Sequence, residues 1–282
     1  MNRRGFVVGA VGGSAALLVG WSLLPQRARL GTPGTLPVVA GEVGLNGWIR
    51  IASDGRIRLA MPRSEMGQGV HTAFAMLAAE ELDVPLAQVT LIEAGADRLY
   101  GNVAMFVAAV PAHPRDREPG TEPAWVQAAD WMVGKIAREL GINATGGSTS
   151  VADAWVPLRL AAATARARLV GAASLQWRLP AEELQVREGV VSHAASGRSA
   201  HYGELAAQAA ATPPGDVQLK PRASWRLIGS AAPRIDLRAK TNGSAVFGAD
   251  LRLPGMRYAV VRHCPMLGGS PGRVQEIGRA HV

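Results

Sequence analysis

The sequence holds a single cysteine, Cys264, in 282 residues. Alone it can form no internal disulfide framework, cysteine-ligated cluster or cysteine-based zinc site. Within Arg262-His263-Cys264-Pro265 it reads as a small buried apolar residue rather than a nucleophile. Lysine is also scarce, occurring only at Lys135, Lys220 and Lys240, so the net charge of +8 rests mainly on arginine. The arginines are scattered and form no basic block, which argues against nucleic acid as a partner. The six histidines show no metal-ligand spacing, and there is no internal repeat. Against these absences, the chain is 48% hydrophobic and 18% charged. That composition supports a packed core and excludes general disorder. The length suits one large or two modest domains.

The N-terminus reads as an address. Asn2-Arg3-Arg4-Gly5-Phe6 precedes an uncharged run to Leu24 that is diluted by Gly9, Gly12, Gly13, Ser14 and Gly20. Paired arginines before a moderately apolar run resemble a twin-arginine export signal over residues 1–24, which predicts a periplasmic protein. The run is also close to the roughly 20 residues that span a bilayer. An uncleaved anchor that holds the protein at the membrane is therefore the alternative. Val38-Val39-Ala40 is a candidate cleavage site. The twin-arginine route carries folded proteins, which implies a cofactor inserted before export.

Residues 25–44, rich in Pro and Gly, read as a linker. Gly47 to Ala52 and Arg56 to Met61 alternate apolar and polar around Ser53-Asp54-Gly55, a β-hairpin pattern. From His71 to Leu82, Phe74, Leu77, Ala78 and Leu82 recur at helical spacing, and Pro85 is read as the stop. Gln88 to Glu93 reads as a strand, and Ala94 to Pro123 as loop. Ala124 to Leu140 is a predicted helix stopped by Gly141, with Trp125 and Trp131 as core or interface residues. Val151 to Ala173 is a long Ala- and Arg-rich helix with Pro157 in its first turns. A second hairpin is predicted at Glu183 to Arg187 and Val190 to His193, then a short helix at Tyr202 to Ala211. Thr212-Pro213-Pro214-Gly215 suggests a domain boundary. Ala245 to Leu251 and Met256 to Arg262 look like strands. The pattern is α+β.

Two stretches carry chemistry. Glu65-Met66-Gly67-Gln68-Gly69-Val70-His71-Thr72 follows a strand and opens a helix. Its glycines let backbone come close to a ligand, and the N–H groups of the new helix suit an anion. The Gln68 amide both donates and accepts, which suits oxo, thio or pterin groups; a water-facing turn glutamine is the plainer reading. Thr145-Gly146-Gly147-Ser148-Thr149-Ser150 is a second small-residue turn before a helix, whose plainer reading is an N-cap. Together they suggest one polyanionic ligand gripped from two sides. Glu65 is not expected to be a general base, and His71 is read as a helix N-terminal or packing residue.

These stretches, with Ala79-Glu80-Glu81-Leu82 and Val89-Thr90-Leu91, resemble the molybdenum hydroxylases of the xanthine oxidase/aldehyde oxidase family. Tyr100-Gly101-Asn102 and the Trp131 to Leu140 helix are similar to the isoquinoline 1-oxidoreductase β-subunit branch. Arg234-Ile235-Asp236, Lys240, Gly243 to Phe247 and Asp250 to Tyr258 resemble the start of its a/b hammerhead domain. The resemblance covers nearly the whole chain after the signal. It implies an α+β fold, with a cofactor-binding domain of mixed sheets and helices over residues 45–211, a linker over 212–233 and an incomplete hammerhead over 234–275. It also implies a molybdopterin cytosine dinucleotide cofactor. Gly67, Gln68 and Gly69 would contact it from one side, and Thr145, Gly147, Ser148, Thr149 and Ser150 from the other.

The family's activity is oxidation of an N-heteroaromatic compound or an aldehyde with water as oxygen source. Electrons would leave through a [2Fe–2S] partner subunit, with a cytochrome c subunit as a further candidate. The family's catalytic glutamate is expected beyond this chain, which predicts that the chain alone is inactive. Ile277-Gly278-Arg279-Ala280-His281-Val282 resembles a sequencing adapter read in frame, so residues 276–282 are left out of the fold expectation. A non-catalytic exported binding or assembly module of the same shape is the alternative function.

Overall fold

The computed structural model describes residues 20–21, 28–37, 39–118, 120–270 and 272–273. The adapter-like tail and nearly all of the export-signal segment lie outside these. The chain divides into two compact units, Met1–Leu237 and Arg238–Val282. Among the described residues, no helix is long and apolar enough to cross a membrane.

The first unit is built on a four-stranded sheet in the order β1 (Glu42–Gly44), β2 (Ile49–Ala52), β3 (Ile57–Met61) and β4 (Val89–Glu93). The predicted hairpin forms, pairing Ile49 with Leu59 and Ile51 with Ile57. Its turn is set by Asp54, whose Oδ1 accepts from Arg56 N at 3.0 Å. β3 and β4 run parallel, Leu59 opposite Leu91. Parallel neighbours need a crossover, and helix α1 (Val70–Leu82) supplies it. α1 ends at Asp83, in the left-handed region at φ 53°, where Val84 N bonds back to Ala79 O. The stop therefore precedes Pro85.

The stretch from Ala94 to Pro123 is more ordered than its prolines suggest. It holds short 3-10 turns at Arg98–Tyr100 and Pro114–Arg117, and helix α2 (Val103–Ala108). The Asn102 side chain caps α2 by accepting from Met105 N at 3.2 Å. Helix α3 (Ala124–Leu140) ends on Gly141 in the left-handed region, as predicted. Trp125 and Trp131 are 53% and 42% exposed on it, so neither belongs to the core of the described chain. Helix α4 spans Ser150–Trp177, longer than predicted at its C-terminal end. The second hairpin, β5 (Gln185–Arg187) and β6 (Val190–His193), gains a third strand, β7 (Arg198–His201), before helix α5 (Tyr202–Ala211).

The core lies between the first sheet and helices α1, α4 and α5. Ala75, Ala78 and Ala79 on α1, with Ala161, Ala162 and Ala165 on α4, are all fully buried. Small residues on both helices permit close packing, and Phe74, Leu82, Leu158 and Tyr202 fill what remains. Trp48 packs edge-on against Tyr100, ring centroids 5.0 Å apart. Buried Asn46 pins the β1–β2 turn to α4: its Oδ1 accepts from Trp48 N and Ile49 N, and its Nδ2 donates to Ala161 O.

The second unit differs from expectation. No strand forms at Ala245 to Leu251 or Met256 to Arg262, apart from a 3-10 turn at Gly248–Asp250. Val246 and Val260 are 75% and 89% exposed, and no pairing strand stands beside them among the described residues. Strands without a partner ladder or a covered face do not form on their own. Cys264 is exposed, not buried as the sequence implied.

Replacing Asn46 by Ala takes the side-chain acceptor from buried Trp48 N and Ile49 N and cuts the tie to Ala161 O. It is expected to cost the first unit about 2 kcal/mol in urea unfolding. An unchanged midpoint would show that the β1–β2 turn is held by other means.

Candidate functional site

The two sequence stretches meet. β3 delivers Arg63 and Ser64 at its C-terminal end, and α1 follows the turn from Glu65 to Gly69. Opposite, the segment from Asn143 to Thr149 leads into α4. Thr145 Oγ1 accepts from Ser64 N at 2.9 Å, and Arg63 Nη1 donates to the Asn143 side chain. Between them lies a cavity of about 370 Å³. Gln68, Gly69, Thr145, Gly147, Ser148 and Ser150 line it, with Gly146 and Val151 among their neighbours on the wall. Gly67 and Thr149 are not on that wall.

Asp153, which the sequence reading missed, holds this arrangement in place. It lies in the first turn of α4, and its side chain is 1% exposed. Its carboxylate accepts from Arg29 Nη2 at 2.7 Å, Arg63 Nη2 at 2.9 Å, and Val103 N and Ala104 N at the start of α2 at 2.8 and 3.2 Å. Burial lowers the pKa of the Arg63 guanidinium; Asp153 opposes that shift and Arg29 adds to it. Pro157 has no N–H for the Asp153 carbonyl, which lies one helical turn earlier. Arg29 Nη1 donates to that carbonyl instead, at 3.1 Å.

The two helix N-termini differ in kind. At α1 the anion is already present and belongs to the chain. Glu65 Oε1 accepts from Gly67 N and Gly69 N at 2.8 and 2.9 Å, and Oε2 from His71 N at 3.1 Å. Burial raises the Glu65 pKa, but these N–H groups and Arg234 outweigh it, so the group sits below its ordinary 4.5. This revises the expectation that the N–H groups of α1 are free for a ligand. The Gln68 amide is also turned inward: Oε1 accepts from Met66 N at 2.6 Å and Nε2 donates to Ser64 O at 2.9 Å. His71 Nε2 lies 3.1 Å from Arg63 O, a packing role inside the same turn.

At α4 the helix end is open. The Thr149 hydroxyl donates to Gly146 O and accepts from Asn102 Nδ2, and it does not cap the helix. No side chain caps this end among the described residues, which leaves its first N–H groups as donors at the cavity wall. Ser148 sits in the left-handed region at φ 55°, exposed beside Gly147 at φ 60°. Across the cavity, a Cβ built on Gly69 would meet nothing within 4 Å, and neither would one on Gly67 in the same turn. The positive φ angles of Gly67 and Gly69, 100° and 85°, and the open space above them let a ligand approach closely, although their own N–H groups already donate to Glu65. Uncapped N–H groups and serine hydroxyls form a donor set suited to phosphate and to heterocycle edges. A second cavity of about 510 Å³ opens at the C-terminal ends of β3 and β4, with Glu65, His71 and Glu93 on its wall.

The family described as "Molybdopterin cofactor-binding domain" matches residues 15–104, a span that contains the Gly67–Gly69 turn. The isoquinoline 1-oxidoreductase subunit beta of Brevundimonas diminuta is 33% identical over 98% of this chain and 35% of its own length. The findings together support a fragment of a molybdenum hydroxylase large subunit. A protein of Gluconacetobacter polyoxogenes named "Membrane-bound aldehyde dehydrogenase [pyrroloquinoline-quinone]" is 29% identical over 97% of this chain and 30% of its own. The chain thus spans about a third of the length of these relatives. The solved quinoline 2-oxidoreductase of Pseudomonas putida 86 is 18% identical, covering 68% of this chain and 20% of that one at a TM-score of 0.35.

Two outcomes test this geometry. Asp153→Asn leaves Arg29 and Arg63 buried without a counter-charge and is expected to cost about 3–5 kcal/mol. A loss below about 1 kcal/mol in denaturant would contradict the central place given to that carboxylate. The second outcome is acid sensitivity. Glu80, like Glu65, is held below its ordinary 4.5, burial being outweighed by the N–H groups of Leu227, Arg226 and Ile228 and by Lys220. A depressed folded-state pKa contributes stability above 4.5 that is lost as pH falls toward the folded value. Glu80→Gln should therefore be less stable at neutral pH and show a shallower stability loss below about pH 5. An unchanged slope would refute the assignment.

Proposed function

We propose that this chain supplies one wall of the cofactor site of an exported molybdenum hydroxylase. The observation that carries the reading is the 370 Å³ cavity between the Gly69 turn and the uncapped start of α4. The ligand is molybdopterin cytosine dinucleotide. Its phosphates suit the N–H groups at Ser150 and Val151, and Ser148 and Ser150 add hydroxyl donors. Gly67 and Gly69 leave room for close approach of the ligand on the facing side, and Thr145 keeps the two sides in register through Ser64. When bound, the molybdenum cofactor supplies the two-electron redox chemistry.

The residues here bind and orient. Glu65 is committed to three backbone N–H groups and Arg234, and a carboxylate so engaged is a poor proton acceptor. The proton-accepting glutamate therefore belongs to another part of the enzyme. The substrate class is an N-heteroaromatic compound or an aldehyde, with water as the oxygen source; the printed names of the two relatives support it. Electrons leave through a [2Fe–2S] partner subunit, as the family resemblance implies, and a cytochrome c subunit is a further candidate acceptor. The Arg3-Arg4 pair supports twin-arginine export to the periplasm, with an uncleaved N-terminus as a membrane tether.

The test places a negative charge at the site. Ser148 is exposed and in the left-handed region, which aspartate tolerates. Near a helix N-terminus, Ser148→Asp favours the fold while repelling a phosphate. The purified intact enzyme is expected to lose about tenfold in molybdenum and releasable cytosine nucleotide, with thermal stability unchanged. Full cofactor content in this variant would contradict the proposed site.

A further inference from the structure

A strap runs along α1 from residue 216 to residue 236. At its start, Lys220 N donates to Glu81 Oε2 at 3.1 Å, and Lys220 Nζ reaches Asp83 at 2.5 Å. In its middle, Arg226 N, Leu227 N and Ile228 N all donate to Glu80 Oε2, at 2.8, 2.6 and 3.1 Å. At its end, Ile235 N donates to Thr72 Oγ1 at 3.1 Å in the first turn of α1. The strap is thus fixed at both ends of one rigid helix, and Arg234 is delivered beside the Glu65 to Gly69 turn.

There the guanidinium makes four hydrogen bonds. Nε and Nη2 fork onto the two oxygens of Asp236, both at 2.9 Å. Nη1 donates to Gly67 O at 2.8 Å, and Nη2 to Glu65 Oε1 at 3.2 Å. Packing gives the turn little support: Met66 is 69% exposed, and nothing stands within 4 Å of a Cβ built on Gly67 or Gly69. Its shape depends on the bonds Glu65 and Gln68 make inside it, and Arg234 is the external group that grips both the carboxylate and a turn carbonyl. Only a planar fork can hold Asp236 on one edge and still reach two acceptors beyond it; a lysine ammonium cannot.

We propose that Arg234 is a positioning residue, which holds the Gly67-Gln68-Gly69 turn in its ligand-facing shape by clamping Gly67 O and Glu65 against the strap. Its effect on the cofactor rests on the reading of the site given above. The clamp itself does not.

The two are separated by measuring amide hydrogen exchange and bound nucleotide in the intact enzyme. Arg234→Gln is expected to speed exchange at Gly67 and Gly69 about tenfold, with Ile51, Leu59 and Leu158 unchanged, and to lower cytosine nucleotide retention. Arg234→Lys keeps the charge without the fork and should reproduce both effects. Unchanged exchange at Gly67 and Gly69 in both variants overturns the clamp. If Arg234→Gln speeds exchange everywhere, Arg234→Lys decides by the same criterion. Faster turn exchange with full nucleotide retention overturns the positioning role and leaves the site standing. An unaltered enzyme without bound nucleotide overturns the site and leaves the clamp to the exchange data.

Discussion

The structure turns on one buried carboxylate. Asp153 draws together Arg29 ahead of the first sheet, Arg63 at the end of β3, the backbone at the start of α2, and its own helix α4. A buried ion cluster of this kind adds little net stability, because desolvation offsets much of the attraction. Its value lies in specificity: a packing that separates any one of these partners strands a buried charge. Two segments some eighty residues apart in sequence are therefore placed against each other by a single acid, and the cavity between them follows from that placement. Pro157 adds to the same constraint, because the carbonyl it leaves free is the one Arg29 takes.

The two helix starts at the cavity then divide the work. α1 carries its own anion, Glu65, and spends its leading N–H groups on it. Among the described residues α4 has no such cap, since Thr149 is bonded to Gly146 and Asn102. One side is a rigid, self-satisfied turn with bare glycine backbone, and the other is a set of open donors. The match to a molybdopterin cofactor-binding domain covers the turn before α1; the contrast between the helix ends is the ground for proposing that phosphate is received at α4.

Much of the fold is legible from periodicity. Alternation from Ile49 to Met61, helical spacing from Phe74 to Leu82, and Gly141 after Leu140 each determine an element locally. β7 is not legible, because Arg198–His201 is a polar, half-exposed run without apolar alternation. α2 is hidden among prolines, although Asn102 is an N-cap that could have marked it. The strands expected after Ala245 fail for the opposite reason: their pattern is apolar, but no partner strand stands beside them among the described residues. At the site, the glycines and small hydroxyl residues could be read in sequence. Asp153, Arg63 and Arg29 could not, since their pairing exists only once the chain is folded. Glu65 lay in plain view two residues before the first glycine, and its spacing to Gly67, Gly69 and His71 is what an internal cap needs.

The central claim is that phosphate is received at the start of α4 and not at α1. A structure of the intact, cofactor-loaded enzyme tests it most directly. Phosphate oxygens of the bound dinucleotide within about 3 Å of the N–H groups of Ser150 or Val151, with Glu65 still bonded to Gly69 and His71, is the predicted result. Phosphate at the N-terminus of α1 with Glu65 displaced, or a dinucleotide lying away from both helix ends, would contradict it.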